Sequence, residues 1–225
     1  MTTHLSREID NLKKMILYMG AEVEESVHKA VEALVTRNSE LAAEVISNDE
    51  TLDHLEVEIE EECLKILALH QPVAIDLRYV VAILKINNDL ERIGDLAVNI
   101  AERVSYLAGK SPLGIQLDFR GMGRKTQLML KNSLDALVNT DTNLARHVRA
   151  SDDEVDAMNR KMYLDIQQYM SDHPDRIPEL VHLISVSRHL ERIADQATNI
   201  AEDVIYMVEG EIVRHQPEDF SASEH

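Results

Sequence analysis

LERIGDLAVNIAERVSY, residues 90–106, returns a hundred positions later as LERIADQATNIAEDVIY, residues 190–206, with twelve of seventeen positions identical. Chance does not produce such a match, so the chain carries two copies of one structural unit. Within the first copy Ile93, Ala97, Ile100, Val104 and Leu107 fall between about 160° and 240° at 100° per residue, one apolar face of a helix. A weaker echo lies upstream at an offset of 103. There Ala33-Leu34-Val35 matches Ala136-Leu137-Val138, Leu41 matches Leu144, and Asp49 and Asp53 match Asp152 and Asp156. The change of offset places a small insertion near Gln71-Pro72 or Asp172-His173-Pro174.

Apolar periodicity divides each unit into three helices. In the first they span about 5–36, 39–69 and 73–108, with Ser39 as an N-cap and Pro72 near a first turn. In the second they span about 115–139, 141–171 and 175–209, with Asp141 or Thr142 as a cap and Pro178 inside a first turn. Connections this short make neighbouring helices antiparallel. The expected fold is all-α: two tandem, homologous, pseudo-symmetric three-helix bundles with six long helices. Residues 1–109 form the first bundle and 115–209 the second, joined by a linker at Gly109–Gly114. Residues 210–225 form a frayed C-terminal tail.

Composition agrees. The 225 residues include only 7 Gly and 5 Pro, and 44% are hydrophobic, enough for a core of Leu, Ile, Val, Ala and Met. Met15, Met19, Met158, Met162 and Met170 read as filler of that core. The single cysteine, Cys63, sits in an apolar helical run and reads as a buried thiol suited to a reducing compartment. The charged N-terminus lacks a signal-peptide core, and no apolar run reaches the ~18 residues of a membrane span. A soluble, cytoplasmic protein without direct membrane insertion is therefore expected. A net charge of −18 disfavours nucleic acid as a partner. Residues 38–64 hold ten Asp or Glu and no Lys or Arg, which points to cations or a basic protein surface as ligands of the first unit.

The repeated segment also carries an acidic stripe. Glu91, Asp95, Asn99 and Glu102 fall within about 80° of one another on the helix, opposite the apolar face. Glu191, Asp195, Asn199 and Glu202 repeat them. The preceding helix of the first unit adds Asp49, Asp53, Glu56 and Glu60, whereas the second unit keeps Asp152 and Asp156 but has Asn159 and Tyr163 in place of the glutamates. Like charges at i and i+4 cost a helix roughly 0.2–0.5 kcal/mol each, so recurrence of the pattern points to a cation that offsets the repulsion. Oxygen-only ligation suits magnesium, manganese, calcium or iron. The same stripe also describes an ordinary solvated surface that Arg92, Arg192 or Arg78 could neutralise, and spacing leaves both readings open. Glu25-x-x-His28 and Glu179-x-x-His182 match half of a carboxylate-bridged di-iron motif, giving an alternative storage or redox bundle. There is no Gly-rich phosphate loop, no Ser-His-Asp set and no spaced Cys/His set, so no catalytic residues are assigned.

The doubled Leu-Glu-Arg-Ile-(Gly/Ala)-Asp segment, with Asp49-x-x-x-Asp53 upstream and Gln71-Pro72-Val73-Ala74-x-Asp76-Leu77-Arg78 between, resembles the PhoU family over about residues 5–209. The resemblance implies two three-helix bundles and a non-enzymatic, cytoplasmic negative regulator of phosphate uptake and phosphate-starvation signalling. It implies as partners the ATPase subunit of the phosphate ABC transporter and the sensor histidine kinase of the phosphate regulon, and a homodimer. It also implies a multinuclear metal cluster of iron, or of another divalent metal such as manganese, magnesium or zinc. Carried over by position, the metal ligands are Asp49, Asp53, Glu91 and Asp95 in the first unit and Asp152, Asp156, Glu191 and Asp195 in the second.

Overall fold

The apolar half of the repeated segment is the centre of the molecule. In a computed structural model that describes residues 3–213, Leu90, Ile93, Ala97, Ile100 and Ala101 are fully buried, and so are Leu190, Ile193, Ala197, Ile200 and Ala201. They lie on two of six long helices. The first unit comprises α1 (Thr3–Thr36), α2 (Ser39–His70) and α3 (Ala74–Ala108). The second comprises α4 (Phe119–Asn139), α5 (Thr142–Asp172) and α6 (Ile177–Glu209), the last preceded by a 3-10 turn at Pro174–Arg176. Each unit is a three-helix bundle. The units join through α3 against α6 and α1 against α4, while α2 packs on α1 and α3 and α5 packs on α4 and α6.

The joined helices run antiparallel, as the cross-contacts require. Lys85 near the start of α3 meets Asp203 near the end of α6 at 3.1 Å, and Tyr106 at the end of α3 stacks on His182 at the start of α6 with ring centroids 4.0 Å apart. Asp203 is buried, so its pairing with Lys85 matters more than a surface pair would. The repeat-related partners of these two residues, Ser185 and Arg103, do not repeat the charge pair. Between α1 and α4, Gly20 packs against Leu134 and Gly123 against Val31.

Local chemistry shifts several boundaries from those expected. Asn38, not Ser39, caps α2: its Oδ1 accepts from the backbone N–H of Glu40 at 2.9 Å and of Leu41 at 3.1 Å. Asp141 does the same for α5. Helix α4 begins at 119 and not 115, because Asp118 accepts from the Gly121 N–H at 2.8 Å and starts the helix there. The apolar residues Leu113, Ile115 and Leu117, which alternate at every second position, form a strap along a cleft of about 320 Å³ at the junction of the units. Arg37 closes the end of α3 by donating to the carbonyl oxygens of Leu107 and Lys110. Helix α6 ends at Gly210 in the left-handed conformation (φ 79°), where a Cβ would also strike the Arg78 guanidinium. Of the expected frayed tail, Val213 is buried and its carbonyl accepts from Arg149 at 3.3 Å; residues 214–225 lie outside the described residues.

The contact between α1 and α4 gives a direct test. A Cβ on Gly123 would lie 2.5 Å from Val31 Cγ1, on a β-branched side chain that cannot rotate away cheaply. Gly123→Ala is expected to destabilise the protein by about 1–3 kcal/mol despite the helix propensity it gains. Gly109→Ala, with nothing within 4 Å of its Cβ, is expected to leave stability unchanged. Urea denaturation of both variants checks this pair of outcomes.

Candidate carboxylate sites

Two carboxylate clusters form, one in each unit, where α2 lies on α3 and α5 lies on α6. In the first, burial raises the carboxyl pKa of Asp49, and Asp53 and Asp95 raise it further. Asp95 is raised by burial and then by Asp53. Glu91 is raised by burial, then by Asp95, Glu56 and Asp53, with Arg92 opposing. Thus Asp49, Asp53, Glu91 and Asp95, dispersed in sequence, feel one another across the α2–α3 interface. Glu56 joins them, raised by burial, Glu60 and Asp53. Among the described residues, no ion pair neutralises any of these five acids.

Gly94 explains how the helices come so near at this level. It faces Leu52, with its missing Cβ only 2.8 Å from Leu52 Cδ1. The second unit has Ala194 there, fully buried.

The second cluster is more enclosed and less purely acidic. Burial pushes the Asp152 carboxyl up to about 6, aided by Asp195, Asp156, Asp153 and Glu191. Asp195 is raised by burial and Asp156, while Arg192 opposes. Glu191 is raised by burial, Asp195 and Asp156, while Arg188 and Arg192 oppose. Asp156 itself pairs with Arg160 at 3.2 Å. The stripe does not continue as a site to Glu202, which forms a largely buried ion pair with Arg149 at 3.2 Å. Arg149 stands where the first unit has Ile46, so only comparison of the two copies position by position could have flagged it. Glu102 is half exposed beside Arg103. Arg78 does not neutralise either stripe; it lies against Gly210 at the end of α6.

The donor set is all oxygen, partly desolvated and, in the first unit, without an ion pair among the described residues, which is the chemistry a hard divalent ion satisfies. Among the described residues, no three His, Cys, Asp or Glu side chains are gathered around a single point in the manner of a bound ion. Ligation therefore requires rotation of the exposed carboxylates, Asp53 and Asp95 included. The Glu-x-x-His matches fare differently. His28 is exposed on α1 and His182 stacks on Tyr106 from α6; those helices do not pack on one another, so the two halves of a di-iron motif are not brought together. Cys63 is fully buried, its thiol pushed up to about 12 by burial and by Glu62 and Glu60, consistent with a packing role. No helix is long and apolar enough to cross a membrane among the described residues.

Repulsion in the second cluster has a pH signature. The Asp152 carboxyl titrates near 6 in the folded protein and near 4 when unfolded, so between those values the folded state holds a proton that the unfolded state releases. Charged Asp152 therefore costs stability above pH ~6, and the cost disappears as pH falls towards ~4. In metal-free protein with a chelator, Asp152→Asn is expected to gain about 1–2 kcal/mol at pH 7.5, after allowance for solvent screening, and nothing at pH 4. Chemical denaturation at the two pH values measures the difference.

Comparison with known proteins agrees with the doubled architecture. The PhoU domain matches twice, at residues 6–104 and 119–204. The chain is 43% identical over 212 residues to a phosphate-specific transport system accessory protein PhoU homolog of Aquifex aeolicus, covering 94% of this chain and 96% of that protein. It is 40% identical to the homolog of that name from Pseudomonas aeruginosa, covering 96% of this chain and 91% of the relative. The crystal structure of PhoU from Pseudomonas aeruginosa superposes with a TM-score of 0.88 at 39% identity, covering 92% of this chain and 99% of that one. The phosphate transport system regulatory protein PhoU from Streptococcus pneumoniae superposes with a TM-score of 0.83 at 30% identity, covering 93% and 99%. With both domain matches, relatives along nearly its whole length and the same doubled fold, the chain belongs to the PhoU family.

Proposed function

We propose that this protein is an accessory regulator of phosphate transport. It acts without catalysis as an adaptor between the ATPase subunit of a phosphate ABC transporter and the sensor histidine kinase that reports phosphate starvation, and it restrains uptake and signalling when phosphate is plentiful. The observation that carries the reading is the similarity of both repeats, at full length, to proteins named for an accessory role in phosphate-specific transport. The absence of a catalytic constellation among the motifs supports it. Six long helices on one extensive core offer rigid outer faces for partners, and α2 and α5 supply them.

The reading includes a metal input. Asp49, Asp53, Glu91 and Asp95 would hold one cluster, and Asp152, Asp156, Glu191 and Asp195 the other. A bound divalent cation would neutralise their mutual repulsion and fix α2 on α3 and α5 on α6. What supports this is the set of raised carboxyl pKa values shared across each helix pair.

Two measurements test these statements separately. Affinity capture with the folded ATPase subunit and with the cytoplasmic region of the kinase is expected to retain this protein; failure with both overturns the adaptor reading. Elemental analysis after loading with iron, manganese or magnesium is expected to find several equivalents in the natural protein and a loss of most in Asp95→Ala/Asp195→Ala. Equal content in the two, or none in either, removes metal from the scheme and leaves the adaptor role untouched.

A further inference from the structure

Duplication supplies an internal comparison: residues that differ at equivalent positions of the two units show which chemistry one copy holds alone. The groove between α5 and α6 is such a place. It encloses about 450 Å³, with Tyr163, Leu164 and Ile184 as its apolar surface and Arg160 and Arg188 at its sides. Glu191 is the one acid that lines it. Beneath it, Asn159 is pinned by a 2.7 Å hydrogen bond donated by Ser187. The equivalent positions of the first unit read Glu56, Val57, Glu60 and Glu61 on α2, and Leu84, Asn88 and Glu91 on α3. Where the first copy places four glutamates and no arginine at these positions, the second holds two arginines, a tyrosine and an added leucine beside Glu191.

We propose that the α5–α6 groove is a docking site for an acidic, amphipathic helical segment of a partner protein. Charge complementarity selects this occupant. In a chain of net charge −18, the lining of the groove sets two arginines against the single Glu191, and Arg188, which moderates Glu191 electrostatically, forms no ion pair among the described residues. Among the described residues Arg160 forms an ion pair with Asp156 alone, in an exposed pair that a stronger carboxylate contact can replace. Tyr163 and Leu164 are 51% and 63% exposed, so the apolar part of the groove is open to solvent. Tyr and Arg side by side are the residue types that carry most interface energy, because one buries area rigidly and the other grips carboxylates in two directions. Helix-in-groove binding uses apolar anchors at i, i+3 or i+4 with charge on the flanks, which is the complement of this surface. The inference deepens the adaptor reading and rests on it for the identity of the partner, not for the chemistry of the groove.

The test uses the whole chain and an 18-residue, fluorescently tagged Leu/Glu amphipathic peptide, beside a Leu/Lys peptide of the same pattern. The Leu/Glu peptide is expected to bind, and Arg160→Glu/Arg188→Glu or Tyr163→Ala/Leu164→Ala to weaken it by about tenfold or more. These positions are at the surface, and circular dichroism checks that the variants fold. Equal binding to natural and altered protein, no binding at all, or preference for the Leu/Lys peptide overturns the proposal. Sedimentation velocity covers the remaining occupant: self-association that Arg160→Glu/Arg188→Glu abolishes would assign the groove to a second copy and also overturn it. Capture of the ATPase subunit or kinase separates the two readings. Retention equal for natural protein and the charge-reversed variant ends the groove inference while the adaptor reading stands, whereas retention by neither ends both.

Discussion

The packing of α3 on α6 is the contact on which the rest of the molecule depends. Both helices bury the same repeated apolar set, so each unit completes its core against the other instead of closing on itself. That sharing fixes which faces remain outward. With one side of α3 committed to α6 and another to α1, the acidic stripe can meet only α2, and the same holds for α6 and α5. The carboxylate clusters are thus a consequence of how the core is divided.

Holding like charges together requires that something else press the helices into place. In the first unit the apolar contact of Leu52 with the bare backbone of Gly94 does so directly beside Asp53 and Asp95. In the second, Ala194 occupies that space, and basic side chains (Arg160, Arg188 and Arg192) moderate the repulsion. The two clusters are related by duplication and differ in electrostatic balance, one held by close approach and one by partial compensation.

Much of this was legible in the residues. The seventeen-residue repeat gave the two units, the 3.6-residue period gave six helices, and the stripe geometry named acids that do face one another across helices. What escaped the sequence was anything set by tertiary competition. Asn38 and Ser39 are both good caps, and only the chain path decides between them. Ile115 and Leu117 fall inside the span expected for α4, yet Asp118 sets the start of that helix and leaves them, with Leu113, as a strap. Glu202 lies in the stripe by angle, but Arg149 from α5 claims it. Period and spacing describe one helix at a time, whereas these outcomes belong to the neighbour.

The Lys85–Asp203 pair has a consequence for a chain made of two similar halves. Each half could, in principle, dock on a copy of itself from another molecule, since the buried apolar faces of α3 and α6 are nearly interchangeable. In the antiparallel register seen here, α3 against a second α3 would set Lys85 opposite Arg103. α6 against a second α6 would set buried Asp203 opposite Ser185, a carboxylate with no cation to meet it. Both mispairings carry a penalty that the correct pairing escapes. One ion pair, present in only one of its two symmetric positions, favours the pairing of unlike halves over either pairing of like ones.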